Sequence, residues 1–157
     1  MNEERQQQLR EGFSRSGMMQ LLGAQLQVIG NGFCEIIVPR QDFMARPAGM
    51  FNGAVIASLV DVSSGYAAAS AKPVDSYFTT VELKVNYLNP AIGESLIARA
   101  SVIKNGKVIS VVRADIYASG PEGETHAATS LVTMMQLSGK KSPRQPKSAA
   151  EDPAAEA

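Results

Sequence analysis

With one cysteine, Cys34, and one histidine, His126, this chain lacks the means for two common devices. No internal disulfide can form, and no Cys/His zinc cage can be assembled. An excess of one charge is lacking as well, since 15 basic residues balance 15 acidic ones for a formal net charge of zero. That balance gives no reason to expect nucleic acid or an anionic membrane as a partner. Long apolar runs are also missing, and none reaches the ~18 residues a spanning helix needs. The opening stretch, MNEERQQQLREGF, is charged and polar, without the apolar core of a secretory signal. From these absences we expect a soluble, cytoplasmic protein.

The 157 residues suit a domain of ordinary size, and a hydrophobic content of 45% is enough to bury a core. Residues 3–16 read as a short amphipathic helix with Leu9 and Phe13 at i, i+4. Gly17 breaks it, and residues 18–22 read as a further helical turn. Two β-prone runs, 25–29 and 33–38, flank Gly30-Asn31-Gly32 and predict a hairpin. Residues 40–51 read as a loop broken by Pro47 and Gly49. Residues 53–70, GAVIASLVDVSSGYAAAS, are apolar on nearly every face, so the helix they predict is buried and ends before Pro73.

Four strands are expected after it. In residues 79–88, Val81, Leu83, Val85 and Tyr87 alternate with Thr80, Glu82, Lys84 and Asn86, a half-buried pattern. Residues 96–104 and 108–118 flank the hairpin signal Asn105-Gly106, and Gly120-Pro121-Glu122-Gly123 leads into 125–137. This order predicts a four-strand antiparallel meander, an α+β chain in which a strongly curved sheet sheathes one long helix. We expect a helix over 1–16, the main domain over 17–137, and a disordered tail over 138–157, where no large apolar residue occurs after Ser138.

Asp61 does not fit its surroundings. It is the sole charged residue from Pro47 to Ala71, in a helix interior where Asp is a poor former and an isolated buried carboxylate is expensive. Small residues flank it at Ala57, Ser58, Ser64 and Gly65, leaving room for a ligand or a closely packed neighbour. The residue pattern leaves two readings open. Asp61 is a general base or nucleophile in a dry cleft, or it is hydrogen-bonded to Ser58 or Ser64, or exposed at a dimer seam. Upstream, Asn52 is a plausible N-cap and Gly53 follows it. Free N–H groups at a helix N-terminus stabilise developing negative charge, and glycine lets a substrate approach. At ~1.5 Å per residue, Gly53 and Asp61 lie roughly 12 Å apart along the helix. One chain cannot bring both to the same carbonyl; two subunits sharing a pocket can.

The run Arg46-Pro-Ala-Gly49-Met-Phe-Asn52-Gly53-Ala54-Val-Ile-Ala-Ser-Leu-Val-Asp61-Val-Ser-Ser-Gly65 resembles the signature of PaaI-type hotdog-fold acyl-CoA thioesterases, roughly N/Q-x-x-G-x-x-H-G-G-x-x-x-x-L-x-D/E. Residues 79–91, TTVELKVNYLNPA, resemble the family's next strand, and Lys104-Asn105-Gly106-Lys107 stands at its Gly-Arg or Gly-Lys turn. The likeness spans roughly residues 17–137. It implies a hotdog fold, acyl-CoA substrates, no cofactor, and a homodimer or tetramer with sites between subunits. It matches Asp61 to the catalytic carboxylate, Gly53 to the amide that holds the thioester oxygen, and Thr80 to a residue that places water. Gly65 stands where some relatives carry Thr. Arg46 and Lys107 are candidates for CoA phosphates, while Phe51, Met50 and Tyr66 are candidates to line an acyl pocket. Two positions depart from the family, Asn52 in place of His and Arg46 in place of Asn or Gln.

The expected reaction is therefore thioester hydrolysis, with a non-catalytic acyl-CoA-binding module or ligand sensor as the alternative. A dehydratase of the same fold would need a histidine near the helix, and His126, at the start of the last strand, reads as a surface or strand-end residue. Cys34 reads as a buried strand residue. Of Met134 and Met135, only one can face the core.

Overall fold

A computed structural model describes residues 1–137 of the chain; the expected tail over 138–157 lies outside the described residues. The elements are α1 (Glu3–Ser14), α2 (Gly17–Leu21), β1 (Gln25–Gly30), β2 (Phe33–Pro39), a 3₁₀ turn at Asp42–Met44, α3 (Gly53–Ser70), β3 (Tyr77–Tyr87), β4 (Ser95–Asn105), β5 (Ile109–Gly120) and β6 (Gly123–Leu137). Every paired strand is antiparallel, and the sheet order is β1-β2-β4-β5-β6-β3.

α3 packs against all six strands. Leu59, Val60, Ala67 and Ala68 are buried on it. Small residues recur in the buried sheet among larger ones such as Leu96, Val112 and Ile116: Ala98 and Ala100 on β4, Ala114 and Ala118 on β5, and Ala127 and Ala128 on β6. Short side chains let the sheet close tightly on the helix. Register shifts interrupt β1–β2, β3–β6, β4–β5 and β5–β6, and such bulges bend and twist the strands around it. Truncating a fully buried anchor such as Leu59 to alanine would cost roughly 2–5 kcal/mol. The turns follow their residues. Gly30 pairs with Phe33 around Asn31-Gly32, and Gly120 pairs with Gly123 around Pro121-Glu122.

Two expectations are corrected. The sequential meander holds for β4-β5-β6, but β3 lies beyond β6 at the sheet edge, and β4 pairs with β2. The connection after β3 crosses the end of the sheet. It is held by Leu88 N–H to Ala127 O at 2.8 Å, Phe51 N–H to Ala91 O at 2.8 Å, and Glu94 N–H to Ser119 O at 2.8 Å. Alternation within a strand says which residues share a face, not which strand lies alongside. The half-buried pattern of β3 also fails, since Val81, Leu83 and Tyr87 are exposed. The strand is an edge strand, and a bulge at Val81 shifts its alternation: Thr80 faces Met134 on β6 while Glu82 already faces Thr133.

Candidate active site between the central helix and the edge strand

β3 runs back along α3, and this antiparallel course places two pairs of residues. Thr80 Oγ1 donates to Asp61 Oδ1 at 2.5 Å and also contacts Met134 Sδ at 3.5 Å. Farther along, the Tyr87 O–H donates to the Gly53 carbonyl at 2.9 Å. The two sequence alternatives for Asp61 do not occur as bonds: Ser58 Oγ donates to Ala54 O at 2.9 Å, and Ser64 Oγ, fully buried, has no partner among the described residues. Asp61 is half-buried, with one carboxylate oxygen engaged.

Asp61 opens into a cleft of about 540 Å³ lined by Val62, Gly65, Tyr66, Phe78, Thr80 and Met134 from α3 and the sheet, and by one face of α1. The Met134 methyl lies 3.5 Å from where a Gly65 side chain would begin, so Met134 is the methionine that turns inward under α3. Tyr66 packs edge-on against Phe13 with centroids 5.4 Å apart, and burial pushes its phenol up to about 12.

Gly53 opens into a second cleft, of about 480 Å³, with Arg46, Met50, Phe51, Ala54 and Tyr87 among its walls. Asn52 caps α3 by accepting from Ala54 N–H at 3.0 Å. Its own N–H is spent on Met44 O at 2.7 Å, so the cap is rigidly held. The Gly53 N–H has no acceptor among the described residues. A side chain at Gly53 would meet the Tyr87 ring and hydroxyl at 3.2–3.3 Å, the close approach that glycine permits. Arg40 braces the loop before α3, donating to Gly49 O at 2.8 Å and Gly93 O at 3.2 Å with its guanidinium 5.1 Å from the Phe51 ring centroid.

The candidate residues thus fall into three places. Asp61, Thr80, Gly65 and Tyr66 share one cleft; Gly53, Arg46, Phe51 and Met50 share another, with Asn52 capping the helix beside it. Lys107 is exposed at the β4–β5 turn, in neither cleft. That turn is tied to the far end of α3, where Lys72 Nζ donates to Gly106 O at 2.5 Å and Asn105 to Ala71 O at 3.1 Å. His126 lies in neither cleft; it stacks on Tyr117 at 4.8 Å and contacts Asp115 at 3.1 Å. Cys34 is fully buried, and burial pushes its thiol up to about 12. Among the described residues no cluster of His, Cys, Asp or Glu is arranged to hold a metal, and no helix is long and apolar enough to cross a membrane.

Sequence reading missed the α1 wall, including the buried Arg5, and the Tyr87 clasp on Gly53. An arginine amid polar residues gives no sign of burial. Tyr87 was visible at the end of its strand, but not its contact.

Comparison with known proteins bears on this arrangement. The profile of the Thioesterase superfamily matches residues 48–124, the stretch holding Gly53, Asp61 and Thr80. A solved thioesterase family protein from Silicibacter pomeroyi superposes with a TM-score of 0.83 at 34% identity, over 86% of this chain and 99% of that one. The medium/long-chain acyl-CoA thioesterase YigI of Escherichia coli K12 is 25% identical over 129 residues, 73% of this chain and 81% of its own length. The Escherichia coli PaaI protein, from the phenylacetic acid degradation operon, shares the fold at a TM-score of 0.76 and 18% identity, over 86% of this chain and 94% of that one. With its long helix wrapped by six antiparallel strands, the chain has the hotdog fold and belongs to the thioesterase superfamily.

Proposed function

We propose that the chain hydrolyses acyl-CoA thioesters to a free acid and CoA, at sites formed between two copies of itself. The observation that carries this reading is the Thr80–Asp61 hydrogen bond, which aims the one carboxylate of α3 into a cleft of ligand size. Asp61 takes a proton from water as the water attacks the thioester carbon, or its carboxylate attacks first to give a mixed anhydride that water opens. The Gly53 N–H of the neighbouring copy donates to the carbonyl oxygen as negative charge develops there, in register with the α3 N-terminus that Asn52 caps. The C–S bond breaks, and the CoA sulfur leaves as the thiol after taking up the proton. Thr80 keeps Asp61 or the water in line, while Arg46 and Lys107 meet CoA phosphates, Arg46 from the rim of the Gly53 cleft.

Two observations support a shared site. Gly53 and Asp61 open into separate clefts of one chain, consistent with their ~12 Å separation along α3. β3 is an eleven-residue edge strand with Val81, Leu83 and Tyr87 exposed, and such an edge is a template for pairing with another strand.

The test is a hydrolysis screen over short, medium, long and aryl acyl-CoAs with two dead variants. Asp61→Asn removes the base. Gly53→Pro deletes the amide donor at the first helical position, where proline is well tolerated after the extended Asn52. Each alone is expected to lose most turnover. Mixed and reassembled, they should regain about a quarter of wild-type activity, because a mixed dimer holds one intact site. Activity that persists in Asp61→Asn sinks the catalytic role, and failure of the folded mixture to recover sinks the shared site. Binding of acyl-CoA with no turnover in the unaltered protein would instead identify a binding module.

A further inference from the structure

We infer that α1 is the fixed outer wall of the acyl pocket and that Gly12 on it sets the length of the acyl group admitted. The inference rests on the acyl-CoA reading above and adds to it a substrate class, apolar acyl groups of medium or greater length.

Opposite Asp61, the cleft is walled by Arg5, Gln8, Leu9, Gly12, Arg15 and Ser16. Arg5, Gln8, Leu9 and Gly12 recur at spacings of three and four on one face of α1, and Arg15 and Ser16 continue the wall just past its end. This wall is anchored rather than loose. Arg5, only 3% exposed, donates through Nε and Nη2 to Ala69 O at 3.1 and 2.8 Å and to Ser76 O at 3.1 Å, and also bonds Gln8. It thereby ties α1 to the carboxyl end of α3 and to the approach to β3. Arg10 adds a bond to Leu26 O at 3.2 Å on β1, and Phe13 packs on Tyr66.

Apolar side chains line the cleft from both sides, Leu9 from the wall and Val62, Phe78 and Met134 from α3 and the sheet. The Arg5 guanidinium is occupied by backbone and Gln8 oxygens, and Arg15 is exposed at the rim. The middle of the cleft therefore offers dispersion and desolvation to a hydrocarbon, with no free cation set deep within it for a second carboxylate.

Gly12 stands in the interior of α1, where glycine is a poor helix former and no turn or positive φ calls for it. Its use is the space it leaves. A Cβ built there lies 3.6 Å from the Tyr66 hydroxyl, an ordinary contact, and any longer side chain continues into the cleft beside Tyr66. The Tyr66 hydroxyl has no hydrogen-bond partner among the described residues, so its ring stands as a neutral shelf past which the acyl chain runs.

The test measures binding of non-hydrolysable S-ethyl-, S-octyl- and S-dodecyl-CoA thioethers to the full chain and to Gly12→Ala, Gly12→Leu and, as an outward-facing control, Ser14→Leu. Gly12→Leu is expected to weaken octyl and dodecyl binding at least ~10-fold while ethyl binding stays within about twofold. Gly12→Ala, which adds only an ordinary contact, keeps the test decisive if the leucine variant does not fold; about a threefold loss confined to dodecyl is expected. The control should bind all three as the unaltered chain does. An equal change across the three ligands, or no change in any, overturns the wall. Because the readout is binding, it stands apart from turnover: Asp61→Asn can retain activity and sink the catalytic reading while the length profile still reports on Gly12.

Discussion

Thr80 and Tyr87 lie seven residues apart on β3, yet both face α3, one bonding Asp61 and the other the Gly53 carbonyl. In an uninterrupted strand an odd spacing sends two side chains to opposite faces. The bulge at Val81 supplies the extra residue that restores the parity. Before it, Phe78 and Thr80 turn inward; after it, Val85 and Tyr87 do. One strand thus holds α3 at its N-terminus and at its middle.

Thr80→Val keeps the shape of the side chain and removes its hydroxyl. A hydrogen bond to a charged group contributes about 1.5–3 kcal/mol, so kcat is expected to fall roughly 10- to 100-fold. KM should change little, since Thr80 acts on the carboxylate. Steady-state kinetics beside a thermal melt check this, and a rise in KM at constant kcat would contradict it.

Gly53→Ala pushes a methyl into the Tyr87 ring, within 3.2–3.3 Å. Tyr87 is 55% exposed, so its ring can swing aside at small cost, and stability is expected to change by less than about 1 kcal/mol. Activity should fall far more, because the methyl also stands beside the proposed oxyanion donor. Urea unfolding and kcat/KM on the same variant separate the two effects; parallel losses would count against the donor.

Much of the fold is legible in the sequence. The apolar composition of residues 53–70 predicts the buried helix, and Asp61 stands out because no other charge occurs from Pro47 to Ala71. Asn52 reads as a cap from its side chain alone, and it is one. Partnership between distant segments was not legible. The strand residues Thr80 to Tyr87 alternate cleanly in sequence, and nothing in them marks Val81 as the bulged position or β6 as the neighbour. Arg5 was hidden for a similar reason, since its burial depends on carbonyls 64 and 71 residues away.

Glu124 on β6 grips Arg99 on β4 through two bonds at 2.7 and 2.9 Å, and Arg99 also holds Glu35 at 2.8 Å. The hydrogen bonds from Arg99 hold the Glu124 carboxyl below its ordinary value of 4.5. The unfolded chain therefore takes up this proton at a higher pH than the folded one. The contribution is present above the unfolded value and drains as pH falls through the lower folded value. Glu124→Gln should lower stability slightly at neutral pH, by less than about 1 kcal/mol for so exposed a pair, and Tm with it. The gap to the unaltered protein should close as the solution is acidified below the carboxylate range. Melts across that range check the sign, and a gap that widens in acid would refute it.

Three serines are buried on α3, and they differ in what their hydroxyls do. Ser63 donates to Val60 O at 3.4 Å. Ser70 donates to Ala67 O at 2.8 Å and accepts from Gly32 N–H at 2.9 Å, closing the β1–β2 turn onto the end of the helix. Ser64 has no partner among the described residues. An unsatisfied buried hydroxyl carries a desolvation penalty of roughly 1–3 kcal/mol, and alanine is the better helix former. Ser64→Ala is thus expected to stabilise the protein by about 1 kcal/mol. Ser70→Ala is expected to do the opposite, because it leaves the Gly32 N–H without an acceptor; a loss of about 1–3 kcal/mol follows. At roughly 2–4 °C per kcal/mol for a chain of this size, the two variants should melt on opposite sides of the unaltered protein. Equal shifts of the same sign would mean that a partner outside the described residues satisfies Ser64.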